Sequence, residues 1–152
     1  MTWLAVDATS EDAFSAVFSL TPAVHQRYCD LEREIWDGDR VSPVLLELCR
    51  LRIAHLVGDA GALERHTPQA TAAGLDSAKV AELAQWPTSP RFDAAERACL
   101  SFAESYVIDA HSVTDEQCAD LNRHLSAEEL AALTTAIAVF DAMSRFRVAL
   151  DV

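Results

Sequence analysis

Glu47, Asp59 and His66 are the residues of this chain whose types and spacing could do proton chemistry. A carboxylate beside an imidazole can hold the ring, favour its protonated form and pass a proton through it. All three lie in the run ELCRLRIAHLVGDAGALERH, from Glu47 to His66. Glu47 belongs to the stretch Pro43–Val57, whose ionisable side chains are Glu47, Arg50, Arg52 and His55. At about 100° per residue these four spread over a broad arc, with apolar residues between them on every side. Such a helix has no clean polar face, so some of the four must be buried in the fold or at a subunit interface. A buried charge needs a partner or shifts its pKa. Glu47 therefore has two readings: a structural ion pair with Arg50, its i+3 neighbour, or a carboxylate of a site.

Asp59 also has two readings. An aspartate after a glycine at a helix start is a good N-cap, and it could equally serve as an acid/base group beside His66. Asp59, Ala62 and His66, at steps of 3 and 4, would share one face of a helix running from Asp59 to before Gly74. A kink or restart is expected at Thr67-Pro68. His55, Asp59 and His66 fall loosely on one side of a continuous helix and could ligate a metal, but the break expected at Gly58 argues against it. His55 itself reads as core or interface packing. His25, His111 and His124 have no ligand-like neighbours.

The elements that must position these residues read as helix throughout. Residues 22–36 carry Val24, Tyr28, Leu31 and Ile35 as one apolar stripe. Asp37-Gly38-Asp39 signals a turn, and Ser42-Pro43 starts the next helix. A short helix over Asp76–Trp86 is closed by Pro87. Asp93-x-x-Glu96, Thr114-x-x-Gln117 and Ser126-x-x-Glu129 read as capping boxes, and the last helix spans about Ala127–Leu150. Trp3, Trp36 and Trp86 read as core or interface anchors. No alternating β-branched run suggests a sheet.

Composition excludes several functions. The 152 residues carry 24 acidic against 12 basic side chains, a formal net charge of −12. That balance argues against nucleic acid and against an anionic membrane surface. Hydrophobic residues make up 51% of the chain, enough for a substantial core in one domain over 1–152. No apolar run approaches the ~20 residues of a membrane span, and the start MTWLAVDATSED lacks a signal-peptide pattern. A cytoplasmic location is expected. Cys29, Cys49, Cys99 and Cys118 form no CxxC pair and no zinc spacing, and each reads as a small buried hydrophobe.

The run from Glu47 to His66 resembles the motif Glu-x11-Cys-x2-Cys-x3-His of the carboxymuconolactone decarboxylase / alkylhydroperoxidase D-like superfamily. Glu47 and His66 are in register, Gly58 stands where that family often has a glycine, and Asp59 and Ala62 stand at the two cysteine positions. The segments FDAAERACLSFAESY and AALTTAIAVFDAMSRFRVALDV resemble later family helices, the second at a place where an arginine such as Arg145 is common. The likeness covers roughly residues 40–150. It implies an all-α fold of six or seven helices and assembly as a homo-oligomer. In the family, the dithiol is served by the glutamate and the histidine as proton relays. Without the cysteine pair, three functions remain. The first is a non-redox enzyme using Glu47, His66 and Asp59 on a small organic substrate, with neither cofactor nor metal. The second is a catalytically silent oligomeric binding or scaffold protein. The third is a peroxiredoxin-type peroxidase working through another cysteine such as Cys49.

Overall fold

The structure, a computed structural model, describes residue 4 and residues 13–152. Trp3 and most of the amino-terminal stretch read above lie outside the described residues. The helices are α1 (Ala13–Phe18), α2 (Pro22–Asp37), α3 (Pro43–Val57), α4 (Ala60–Leu63), α5 (Pro68–Ala72), α6 (Ser77–Ala81), α7 (Ala94–Asp109), α8 (Asp115–Leu121) and α9 (Ala127–Leu150). Single 3₁₀ turns occupy Leu83–Gln85 and Ala110–Ser112. Among the described residues there is no strand, and the fold is all-α as expected. Among the described residues the nine α-helical segments exceed the expected six or seven. The stretch from Asp59 to Gly74 divides into α4 and α5, Asp76–Trp86 into α6 and a 3₁₀ turn, and α1 was not anticipated.

The helix starts follow local chemistry. Asp93, Thr114 and Ser126 each accept from the backbone N–H three residues on, and Glu96, Gln117 and Glu129 reach back to the cap residue, so all three capping boxes are complete. Each cap stabilises its helix by about 1 kcal/mol. Pro43 and Pro68 stand in the first turns of α3 and α5, where a missing N–H costs nothing. Gly58 ends α3 at φ +82°, a left-handed conformation natural to glycine, and both Gly58 and Asp59 donate to the Ala54 carbonyl.

The core is organised around α3, which packs on α9, α7, α4 and α5. Leu45, Leu46, Leu48, Cys49, Leu51 and Ile53 are all buried, on every side of the helix. This is why α3 has no polar face: it has neighbours all round, each buried Leu or Ile being worth about 1.5–3 kcal/mol. Arg52 resolves its charge by donating from Nε to Glu104 of α7 at 2.5 Å, and Trp86 Nε1 donates to the same oxygen at 2.6 Å. On α2 the apolar stripe is covered only in part: Tyr28 packs on Phe14 and Phe18 and Ile35 on the core. Val24 and Leu31 are exposed, and Trp36, tilted against Phe140 at 5.5 Å, is the buried anchor.

Candidate functional site

Glu47 lies in the middle of α3 with its side chain 0% exposed. Arg50, one turn on, grips it with a two-pronged clasp: Nε donates to Oε2 at 2.8 Å and Nη2 to Oε1 at 2.8 Å. The same carboxylate receives the Thr67 N–H at 3.3 Å and the Thr67 hydroxyl at 3.3 Å, and it lies 3.4 Å from His66 Nδ1. Glu47 thus pairs with Arg50, as the structural reading expects, and the same carboxylate meets His66. Burial pushes the Glu47 carboxyl up, but the Arg50 hydrogen bonds and charge, with Thr67 and His66, outweigh it and leave the group below its ordinary value. Glu47 is therefore a fixed anion at neutral pH.

His66 is not on a helix. The chain leaves α4 after Leu63 and runs without regular secondary structure from 65 to 67, with Thr67 extended, before Pro68 starts α5. The expected single face carrying Asp59, Ala62 and His66 does not exist. Arg50 explains the break, because its Nη1 donates to the Ala62 carbonyl at 3.0 Å and its Nη2 to the Arg65 carbonyl at 2.5 Å. Both carbonyls would otherwise accept from the next turn of a continued helix.

Asp59 is 3% exposed and serves two partners. Its Oδ1 accepts the Ala62 N–H at 3.0 Å, the N-cap bond anticipated from sequence, and its Oδ2 accepts Arg147 Nε at 2.8 Å. The Arg147 guanidinium lies over the Phe14 ring at 4.8 Å. Arg145 instead pairs with Asp141 and the Val107 carbonyl, on an exposed face.

His66 opens onto a cavity of about 340 Å³. Thr67 and Arg50 flank the histidine, while Phe14, Phe140 and Met143 supply apolar wall. From α2 come His25, Tyr28, Cys29 and Glu32, none of which the sequence marked as site residues. Tyr28 donates to Glu32 at 3.1 Å, and burial followed by the Glu32 charge pushes its phenol up, so it stays protonated. His55 is exposed and does not line this cavity. Among the described residues no group of three His, Cys, Asp or Glu side chains is placed to hold a metal, and no helix is long and apolar enough to cross a membrane. A larger cavity of about 380 Å³ between α2 and α9 has Leu31, Ile35, Leu46 and Ala132 in its wall and a surface Arg40–Glu128 pair at its edge. It gathers no histidine and no buried carboxylate.

A model of the carboxymuconolactone decarboxylase family matches residues 22–105. A comparison with curated proteins finds no match. Two solved structures share the fold. One is a protein of unknown function from Agrobacterium tumefaciens named as a candidate antioxidant defence protein AhpD. It is 22% identical over 89% of this chain and 92% of that one, with a TM-score of 0.79. The other is a cysteine-to-alanine variant of the debrominase Bmp8 in complex with 2,3,4-tribromopyrrole. It is 21% identical over 91% of this chain and 74% of that one, with a TM-score of 0.73.

Proposed function

The chain belongs to the carboxymuconolactone decarboxylase family, and on that premise we propose that the cavity beside α3 is a non-redox acid/base site for a small organic molecule. His66 is the group that takes and gives the proton. Its ring sits between the buried Glu47 carboxylate on Nδ1 and the open cavity, 42% exposed. That position is the observation that carries the reading. Nε2 has no hydrogen-bond partner among the described residues, so it is the nitrogen offered to a substrate. Glu47 does not itself exchange protons with substrate, being sealed beneath the wall and held ionised by Arg50. It orients the ring by its contact with Nδ1, as a buried carboxylate does behind a catalytic histidine. Asp59 acts at one remove, by fixing Arg147 in the wall.

Thiol chemistry has weaker support in this chain. Asp59 and Ala62, at the positions matching the family's cysteines, offer no sulfur. Cys49 is fully buried, and burial, with nearby Cys99, pushes its thiol well above the ordinary range. Only the thiolate attacks a peroxide at useful rates. The silent-scaffold reading rests on the Glu47–Arg50 clasp, which would hold the α4–α5 loop with or without catalysis.

The test is His66→Asn against a panel of lactones, enolisable keto acids and brominated pyrroles, followed by NMR of the small molecules. The last class is included because of the compound bound to the debrominase neighbour. Turnover of at least one member is expected, falling about a hundredfold or more in the variant. An undiminished rate in His66→Asn, or a panel left wholly untouched, would put the scaffold reading ahead.

A further inference from the structure

The cavity wall presents a different set of charged side chains from the acidic protein around it. The chain carries 24 acidic residues against 12 Lys and Arg. Yet the described wall holds Arg50, Arg65 and Arg147 with His25 and His66, against the single carboxylate of Glu32. Glu47 and Asp59 lie beneath that wall, 0% and 3% exposed, and do not line it. Glu32 is engaged by the Tyr28 hydroxyl. Glu47 and Asp59 offset the charges of Arg50 and Arg147, so an anion is drawn by the N–H donors that face the cavity and not by net charge.

The cations are not equivalent. Arg50 spends Nε, Nη1 and Nη2 on Glu47, Ala62 and Arg65. Arg147 spends only Nε, on Asp59, and its Nη1 and Nη2 have no hydrogen-bond partner among the described residues. The Asp59 bond on one edge and the Phe14 ring at 4.8 Å fix the plane of the guanidinium. What remains is the end-on pair of nitrogens, a geometry that matches the two oxygens of a carboxylate. Phe140 and Met143 lie on the same face of α9 as Arg147, at i−7 and i−4, and form an apolar wall next to it.

We infer that the cavity selects a small planar monoanion, an aryl or conjugated carboxylate, and that Arg147 is the residue that receives its charge. This deepens the acid/base reading and rests on it only in taking the cavity as a ligand site. The carboxylate binds end-on to Arg147, the flat body lies along Phe140 and Met143, and the far end of the molecule reaches His66.

Benzoate and its neutral analogue benzamide are the probes, titrated into the full chain and followed by calorimetry and by NMR shifts of the His66 ring. Benzoate is expected to bind at least about tenfold more tightly, the difference that one charged hydrogen-bonding pair supplies. Arg147→Met should abolish the preference while benzamide still binds, which shows that the cavity remains folded. Arg147→Lys, which keeps the charge and can still meet Asp59, should retain only part of the preference. Arg145→Met should leave it intact. Equal affinities for the two probes, a preference that survives Arg147→Met, or no binding of either probe would overturn the inference. His66→Asn separates the two proposals. If it leaves turnover unchanged while benzoate selectivity still depends on Arg147, the acid/base reading falls and the anion site stands.

Discussion

Glu47→Gln removes one charge from the best-buried ion pair among the described residues and leaves a side chain of nearly the same shape. The structure lets the cost be worked out. Two charge-assisted hydrogen bonds from Arg50, both 2.8 Å, are lost or weakened, each worth about 1.5–3 kcal/mol. A glutamine carbonyl can still accept one of them, and Arg50 keeps the Ala62 and Arg65 carbonyls. The net loss should therefore fall at the low end of the roughly 3–5 kcal/mol typical of breaking a buried pair, about 3 kcal/mol. For a domain of this size that corresponds to a melting temperature lower by about 6–12 °C. The pH dependence has a definite sign. Glu47 has a folded pKa below its ordinary 4.5, so its stabilisation is fully present above that value and is lost as pH falls through the folded pKa. The gap between native chain and variant should thus be full at pH 7 and shrink as the pH drops below about 4.5. Urea unfolding of both proteins at matched protomer concentration, at pH 7 and at pH 4 and below, measures it. A gap under about 1 kcal/mol at pH 7, or one that widens on acidification, would refute the view of Glu47 as a clasped anion.

Other substitutions test the parts around it. Asp59→Ala should cost about 3–5 kcal/mol by stranding Arg147 and removing the α4 cap, and Asp59→Asn about 1 kcal/mol less because its carbonyl still caps; equal and negligible losses in urea would deny Asp59 both roles. Gly58→Ala meets no atom within 4 Å, so its penalty is that of the left-handed backbone alone, about 1–2 kcal/mol by the same assay. Titration of the native chain with an aromatic disulfide should modify the half-buried Cys29 and Cys118, with Cys49 and Cys99 reacting only after unfolding. Burial, reinforced by Asp93 and Glu96, pushes the Cys99 thiol up to about 12. No dithiol-driven reduction of alkyl hydroperoxide is expected, and a robust rate abolished by Cys49→Ser would restore the peroxidase reading.

What could be read from sequence was what local chemistry decides. The three capping boxes, the span of α9 and the all-round burial of α3 follow from residues within a turn or two of one another. The family spacing points to a meeting of Glu47 with His66, and the two lie 3.4 Å apart. Contacts far apart in the chain set the rest. Helix spacing placed His66 on a face with Asp59 because nothing local shows that Arg50 will take the carbonyls that would have continued α4. Pro68 hinted at a restart, and the arginine determined where the helix stops. The α2 wall of the cavity, with His25, Tyr28 and Glu32, was invisible for the same reason: an isolated histidine or tyrosine on a helix carries no signal until a packed neighbour gives it one.

Asp59 ties the start of α4 to α9 through one buried carboxylate. In the motif that the run from Glu47 to His66 resembles, this position holds a cysteine at a helix start, where a thiolate is favoured by the N-terminal N–H groups. Here the same place holds a carboxylate that accepts the Ala62 N–H and a salt bridge from Arg147, 88 residues away. Aspartate supplies the negative charge permanently and accepts the same kind of hydrogen bonds, but it has no electrons to exchange with a peroxide or a disulfide. That fixed charge also immobilises a cation. A guanidinium tied by one edge and stacked on Phe14 keeps its other edge ready for a ligand without further loss of rotamer freedom. The residue at this place is thus the one that holds Arg147 in the cavity wall. Asp59→Cys would be expected to loosen Arg147 and, with it, the anion preference proposed for the cavity.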